Sequence, residues 1–157
     1  MTSRSGEQGV TLIEMMVVTL LIALMAGISF PAVSSGVDSL RLNGAARNIA
    51  TFFSSGLNRA ERRQEAVEVV ISPAENRLWM LSSQPGFRRE LHLPDSVSIE
   101  NILPPLEQPE EKPRSFFLYP GGTTPAMGIT LKSRRGALRT VRVDPVTGVP
   151  SVAIPES

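Results

Sequence analysis

The chain has 157 residues, with 16 lysines and arginines against 15 aspartates and glutamates, a formal net charge of +1 and no cysteine. This near-balance gives no overall electrostatic bias towards nucleic acid or acidic substrates, and the lack of cysteine excludes a disulfide framework and thiol chemistry. Hydrophobic content is an ordinary 41%, but much of it lies before Pro31, which leaves a polar remainder sized for one modest domain behind an anchor.

The apolar run Val10–Phe30 carries a single charge, Glu14. As a helix rising 1.5 Å per residue it reaches about 31 Å, close to the thickness of a bilayer's hydrocarbon core. A carboxylate in such a helix costs about 2.5 to 3.5 kcal/mol on insertion scales, so it signals a positive partner. Three readings compete. A secretory signal, cut after Ala26 among the small residues Ala23–Gly27, would have a basic leader, yet Arg4 is offset by Glu7 and Glu14 interrupts the apolar core. A plain single-pass anchor explains the length but neither Glu14 nor the short polar leader ending in Gly9. The third reading rests on Gly9-Val10-Thr11-Leu12-Ile13-Glu14 and the apolar run behind it. This stretch resembles the class III signal of type IV pilins and type II secretion pseudopilins.

The resemblance implies that a prepilin peptidase cuts between Gly9 and Val10, removing residues 1–9, and that the same enzyme N-methylates Val10, which stands where the family usually has phenylalanine. A cationic amine would then lie one helical turn before Glu14. In a helical assembly the carboxylate of one subunit could pair with the amine of the next, which offsets its burial and sets axial register.

Pro31 follows the run and Gly27 precedes it by four residues, so a kink or melted turn is expected here. Residues 31–65 read as an amphipathic helix. Apolar residues recur at Val33, Val37, Leu40, Leu42, Ala45, Ile49, Phe53, Leu57 and Ala60, which predicts one buried stripe. Gly36, Gly44 and Gly56 weaken that helix by about 1 kcal/mol each relative to alanine, so packing must support it. Arg59 to Glu65 reads as its solvated last turns, with arginines placed well for the helix dipole.

From residue 66 onward, short β-branched and aromatic runs alternate with proline and glycine turns. Val67–Ile71 and Leu78–Leu81, separated by Ser72-Pro73-Ala74-Glu75-Asn76, predict a hairpin. Further strands are expected at Phe87–Leu93, Val97–Ile102 and Ser115–Tyr119, with Ile129 and Leu131, then Val141 and Val143, facing a core. Asp144-Pro145-Val146-Thr147-Gly148 is a turn before a last strand in Val149–Ile154, and the proline-rich run Pro104–Pro113 is an exposed loop. The expected fold class is α+β: a long N-terminal helix, membrane-spanning in its first half and amphipathic in its second, packed on an antiparallel β-sheet or small sandwich of about seven strands. Trp79, Phe116, Phe117 and Tyr119 are expected to fill its core.

No catalytic or metal constellation is legible. His92 is the only histidine and lacks ligating companions. Gly121-Gly122-Thr123-Thr124 lacks the lysine ending of a phosphate loop, and Asp95, Glu107, Glu110 and Glu111 are scattered in loops.

The segments Leu57–Ala66, Phe117–Thr124 and Val141–Gly148 are together similar to the GspH/FimT group of minor pilins and pseudopilins. The resemblance implies a non-enzymatic subunit without cofactors, held in the inner membrane with its β domain in the periplasm and incorporated near the tip of a pseudopilus that helps export folded proteins. Its implied partners are the prepilin peptidase/N-methyltransferase, other major and minor pseudopilins, the inner-membrane assembly platform, and membrane lipid before assembly. The alternative is a FimT-like minor pilin that captures DNA, for which Arg134, Arg135, Arg139 and Arg142 are the best phosphate contacts. Against it, the tail Pro150–Ser157 has no basic residue.

Overall fold

A computed structural model describes residues 10–84, 86–106 and 112–155, with the side chains of 28–35 excepted. The leader 1–9 and residues 107–111, with Glu107, Glu110 and Glu111, lie outside the described residues. The chain divides into two compact units, one ending at Val37 and one beginning at Asp38.

A single helix, α1, covers Leu12–Arg63. It begins where Thr11 can cap it: the Thr11 hydroxyl accepts the backbone N–H of Glu14 at 3.2 Å, satisfying one of the four unpaired donors at the helix start. Glu14 thereby falls in the first turn, where a carboxylate meets the positive end of the helix dipole. The helix continues without interruption through Gly27 and Pro31, so the break expected there does not take the form of a melted turn.

In the second unit the helix buries Leu42, Ala45, Ala46, Ile49, Phe52, Phe53 and Ala60. This spacing of three and four confirms the amphipathic stripe from Leu42 onward but not before it. Leu40 is 73% exposed and Val37 is also exposed. Leu42 lies two positions after Leu40, about 200° around a helix, so the two cannot share a face. Gly56 belongs to the buried face: a Cβ there would lie 3.1 Å from Leu118 Cδ1 and 3.5 Å from Met80 Cε. Its cost in helix propensity therefore comes with a close approach of helix to sheet.

The end of α1 is a left-handed cap. Gln64 takes φ 52° and the N–H of Glu65 donates to the carbonyl of Ala60 at 3.3 Å, the six-to-one bond of a Schellman motif. The last turns are less solvated than expected. Glu65 is buried and pairs with Arg59 at 2.6 Å, while the Arg59 guanidinium lies 3.5 Å over the Phe87 ring. A buried carboxylate needs such a cation, and the ring desolvates the pair without competing for it.

Among the described residues eight strands follow: β1 Val67–Ser72, β2 Arg77–Ser82, β3 Arg88–His92, β4 Val97–Leu103, β5 Arg114–Leu118, β6 Gly128–Ser133, β7 Leu138–Val143 and β8 Pro150–Ala153. They form two four-stranded antiparallel sheets, ordered β3-β2-β1-β5 and β4-β6-β7-β8. Both sheets contribute to one core cluster with the helix, through Val67, Val69, Ile71, Leu78, Met80, Phe116 and Leu118 from the first and Val97, Ile99, Ile102, Ile129, Leu131, Val141 and Val143 from the second. The α+β class with antiparallel sheets is as expected.

The aromatic assignments need correction. Phe116 is buried, but Phe117 and Tyr119 are 48% and 58% exposed and Trp79 is only half-buried. Strand alternation is the reason: with Phe116 and Leu118 turned inward, Phe117 must point outward. The aromatic contribution to the core comes from Phe116 and, on the helix, from Phe52 and Phe53.

Asn76 joins the sheets at one end. It sits in the β1–β2 turn at φ 49°, a left-handed conformation that asparagine tolerates. Its side-chain amide donates to the Val97 carbonyl at 2.7 Å and its carbonyl accepts the Ile99 N–H at 3.2 Å. Those bonds do for β4 what a neighbouring strand would do.

Candidate functional site

The residues singled out in the N-terminal unit are Gly9, Val10, Glu14, Gly27 and Pro31. Gly9 lies outside the described residues. Val10 precedes α1, and Glu14 occupies its first turn behind the Thr11 cap. From Leu12 to Met25 the large apolar side chains point in every direction and all are exposed: Leu12 is 79%, Leu20 69% and Met25 70% accessible. A helix that is apolar all round is stable only when something else covers it. The one hydroxyl in this stretch needs no water, because Thr19 Oγ1 donates to the carbonyls of Met15 and Met16 at 2.8 and 3.0 Å. Among the described residues no helix is long and apolar enough to cross a membrane. Side chains of the run Val10–Phe30 are described only as far as Gly27.

The four arginines named as phosphate contacts do not converge on one surface. Arg134 reaches the Asp95 carbonyl at 3.5 Å, and Arg135 pairs with Asp38 at 3.2 Å. Arg139 donates to the Asn43 side chain at 2.9 Å and to the Leu138 carbonyl at 2.7 Å. Arg142 is exposed, and an odd separation along β7 puts it on the opposite face from Arg139. His92 is an exposed edge-strand residue beside Glu90 at 3.5 Å. Among the described residues no group of acids and histidines could hold a metal ion.

Two surface features were not anticipated. A groove of about 320 Å³ lies between α1 and the loops flanking β6 and β8, lined by Leu57, Asn58, Glu61, Thr124 and Val149 among others. Glu61 accepts the N–H of Gly121 at 2.9 Å on its edge. The solvent face of the first sheet carries Glu68, Trp79 and Phe117 together. Strand parity alone could have found that face; the groove depends on how the loops fold and left no local sequence signal.

Comparison with known proteins adds two findings. Residues 4–30 match the family model described as the prokaryotic N-terminal methylation motif, which implies processing by a prepilin peptidase and assembly with other pilin-like subunits. The fold is similar to that of the minor pseudopilin EpsH from the type 2 secretion system of Vibrio cholerae, with a TM-score of 0.56 and 12% identity over 74% of this chain and 99% of that one. No curated protein sequence matches significantly. The chain thus carries a prokaryotic N-terminal methylation motif ahead of a domain with the fold of a minor pseudopilin.

Proposed function

We propose that this protein is a minor pseudopilin of the GspH type in a type II secretion system, incorporated near the tip of a periplasmic pseudopilus that helps export folded proteins. In this reading residues 1–9 are the leader, 10–30 span the inner membrane and later pack in the filament core, 31–65 form the amphipathic half-helix and 66–157 the periplasmic β domain. The peptidase hydrolyses the Gly9–Val10 bond and methylates the amine it creates. The assembly platform then draws the subunit from lipid into the filament, where it meets other major and minor pseudopilins.

The observation that carries this reading is the pairing of an all-round apolar helix with one acid in its first turn. Lipid explains the apolar surface but not Glu14, whereas a neighbouring subunit supplies both apolar cover and, in the amine of Val10, a counter-charge. The subunit does no chemistry itself. Gly27 and Pro31 give the helix a place to bend as it changes surroundings.

Replacing the acid tests this. Glu14→Ala or Glu14→Val is expected to leave cleavage at Gly9–Val10 intact while reducing recovery in sheared or crosslinked pseudopili by about a hundredfold or more, since breaking a buried ion pair costs about 3 to 5 kcal/mol. Incorporation at the wild-type level would refute the pairing.

A further inference from the structure

The first sheet has an outer face that combines aromatic and aliphatic side chains with an acid. Val67, Val69 and Ile71 point into the core, so Glu68 and Val70 lie on the other side of β1. Phe117 and Leu81 stand directly opposite Glu68 on the two neighbouring strands, and Trp79 stands opposite Val70. Tyr119 extends the aromatic row beyond β5, its ring stacked on Phe117 with centroids 6.2 Å apart and planes 20° from parallel. β5 is an edge strand, so a partner can reach this face from the side.

The acids of this face are not treated alike. Glu75 is held by Arg77, and Glu90 by Arg88 with Arg77 and His92 nearby. Glu68 is half-buried between Phe117 and Leu81, and among the described residues its carboxylate makes no hydrogen bond or ion pair. A carboxylate drawn partly out of water among apolar groups lacks the cation that would offset its desolvation. The surrounding π faces attract cations as well, and the chain already uses one so: the Arg77 guanidinium lies 5.0 Å over the Trp79 ring.

We infer that this face receives a lysine or arginine side chain of a partner protein, the cationic head at Glu68 and the aliphatic stem along Phe117 and Tyr119, with Trp79 diagonally across from Glu68 on β2. The apolar surround selects a long basic side chain over a hydrated metal ion, because the stem covers the rings while the head meets the acid. The opposite edge of the sheet, β3, presents Arg88, Arg89 and Glu90 and offers no such surface. This docking is independent of whether Val10 is processed or Glu14 pairs.

Trp79 is the only tryptophan, so its fluorescence reports on the site directly. The full chain in neutral detergent micelles would be titrated with acetylated, amidated tetralysine. A saturable change in emission that weakens with added salt is expected, with affinity lower by about fivefold in Glu68→Gln and in Phe117→Ser. Tetraglutamate should give no response, and an unchanged thermal melt of Glu68→Gln would show that the variant is folded. The proposal is overturned by no response to tetralysine, or by equal affinity in folded Glu68→Gln. It is also overturned by an equal response to choline chloride, which would assign the face to a lipid headgroup instead of a protein.

Discussion

Asn76 concentrates three roles in one side chain: it takes a left-handed turn conformation and supplies two hydrogen bonds to β4. Replacing it separates them. Asn76→Gly keeps the conformation and loses the bonds, and should destabilise the protein by about 1 to 2 kcal/mol. Asn76→Ala adds the left-handed penalty and should cost about 1 kcal/mol more. Equal melting temperatures for the two variants would show that the backbone conformation contributes nothing. At the other turn, Asp144 accepts the N–H groups of Val146 and Thr147, both at 2.8 Å. These backbone bonds, Thr147 first, hold its carboxyl below the ordinary aspartate value. A depressed folded-state pKa means that the turn's contribution is present above the ordinary value and lost as pH falls through the folded one. An NMR titration should therefore place the Asp144 midpoint below that of a free aspartate, and Asp144→Ala should remove amide protection at Val146 and Thr147. At this scale the sequence was informative where chemistry is local: the Asp144-Pro145-Val146-Thr147-Gly148 turn is legible by itself. The burial of Glu65 was not, because its partner Arg59 is in turn covered by Phe87, which comes from elsewhere in the chain.

Helix α1 shows how one element carries two sets of instructions. Its first part is apolar on all sides, and from Leu42 onward it is apolar on one. The three glycines counted against it separate by environment. Nothing lies within 4 Å of where a Cβ would be at Gly36 and Gly44, whereas Gly56 faces Leu118 and Met80. Gly44→Ala should accordingly stabilise the fold by about 0.5 to 1 kcal/mol. Gly56→Leu should overpack the helix–sheet contact and destabilise by about 1 to 3 kcal/mol. Thermal melts of the two variants would check the pair, and shifts of the same sign would contradict it. Strand positions were legible because turns and alternation mark them, including the hairpin of β1 and β2. All eight strands fall where segments read as strands, although the total was put at about seven; the choice between one sheet and a two-sheet sandwich stayed open, since pairing depends on contacts distant in sequence. Alternation also decided against Phe117 and Tyr119 as core residues, and aromatic content alone misassigned them.

For the molecule as a whole, the outline came from two signals of different kinds: the Gly-Val-Thr-Leu-Ile-Glu stretch at the N-terminus and the β-rich pattern after residue 66. The first is short and specific; the second is long and shared by many small β domains. The DNA-capture alternative is weakened by placement, because Arg135 and Arg139 are engaged by Asp38 and Asn43 and Arg142 lies on the other face of β7. Duplex DNA should not shift on a gel with the full chain in detergent at physiological salt, and a strong, salt-sensitive shift would revive that reading. The central claim is that this helix serves as a reversible anchor, freed by cleavage at Gly9 and stabilised in a filament through Glu14. Intact-mass measurement of the mature protein from its native membrane tests it most directly. The expected mass is that of a chain beginning at Val10 with one added methyl group; a chain that still begins at Met1, or one that begins after Ala26, would contradict it.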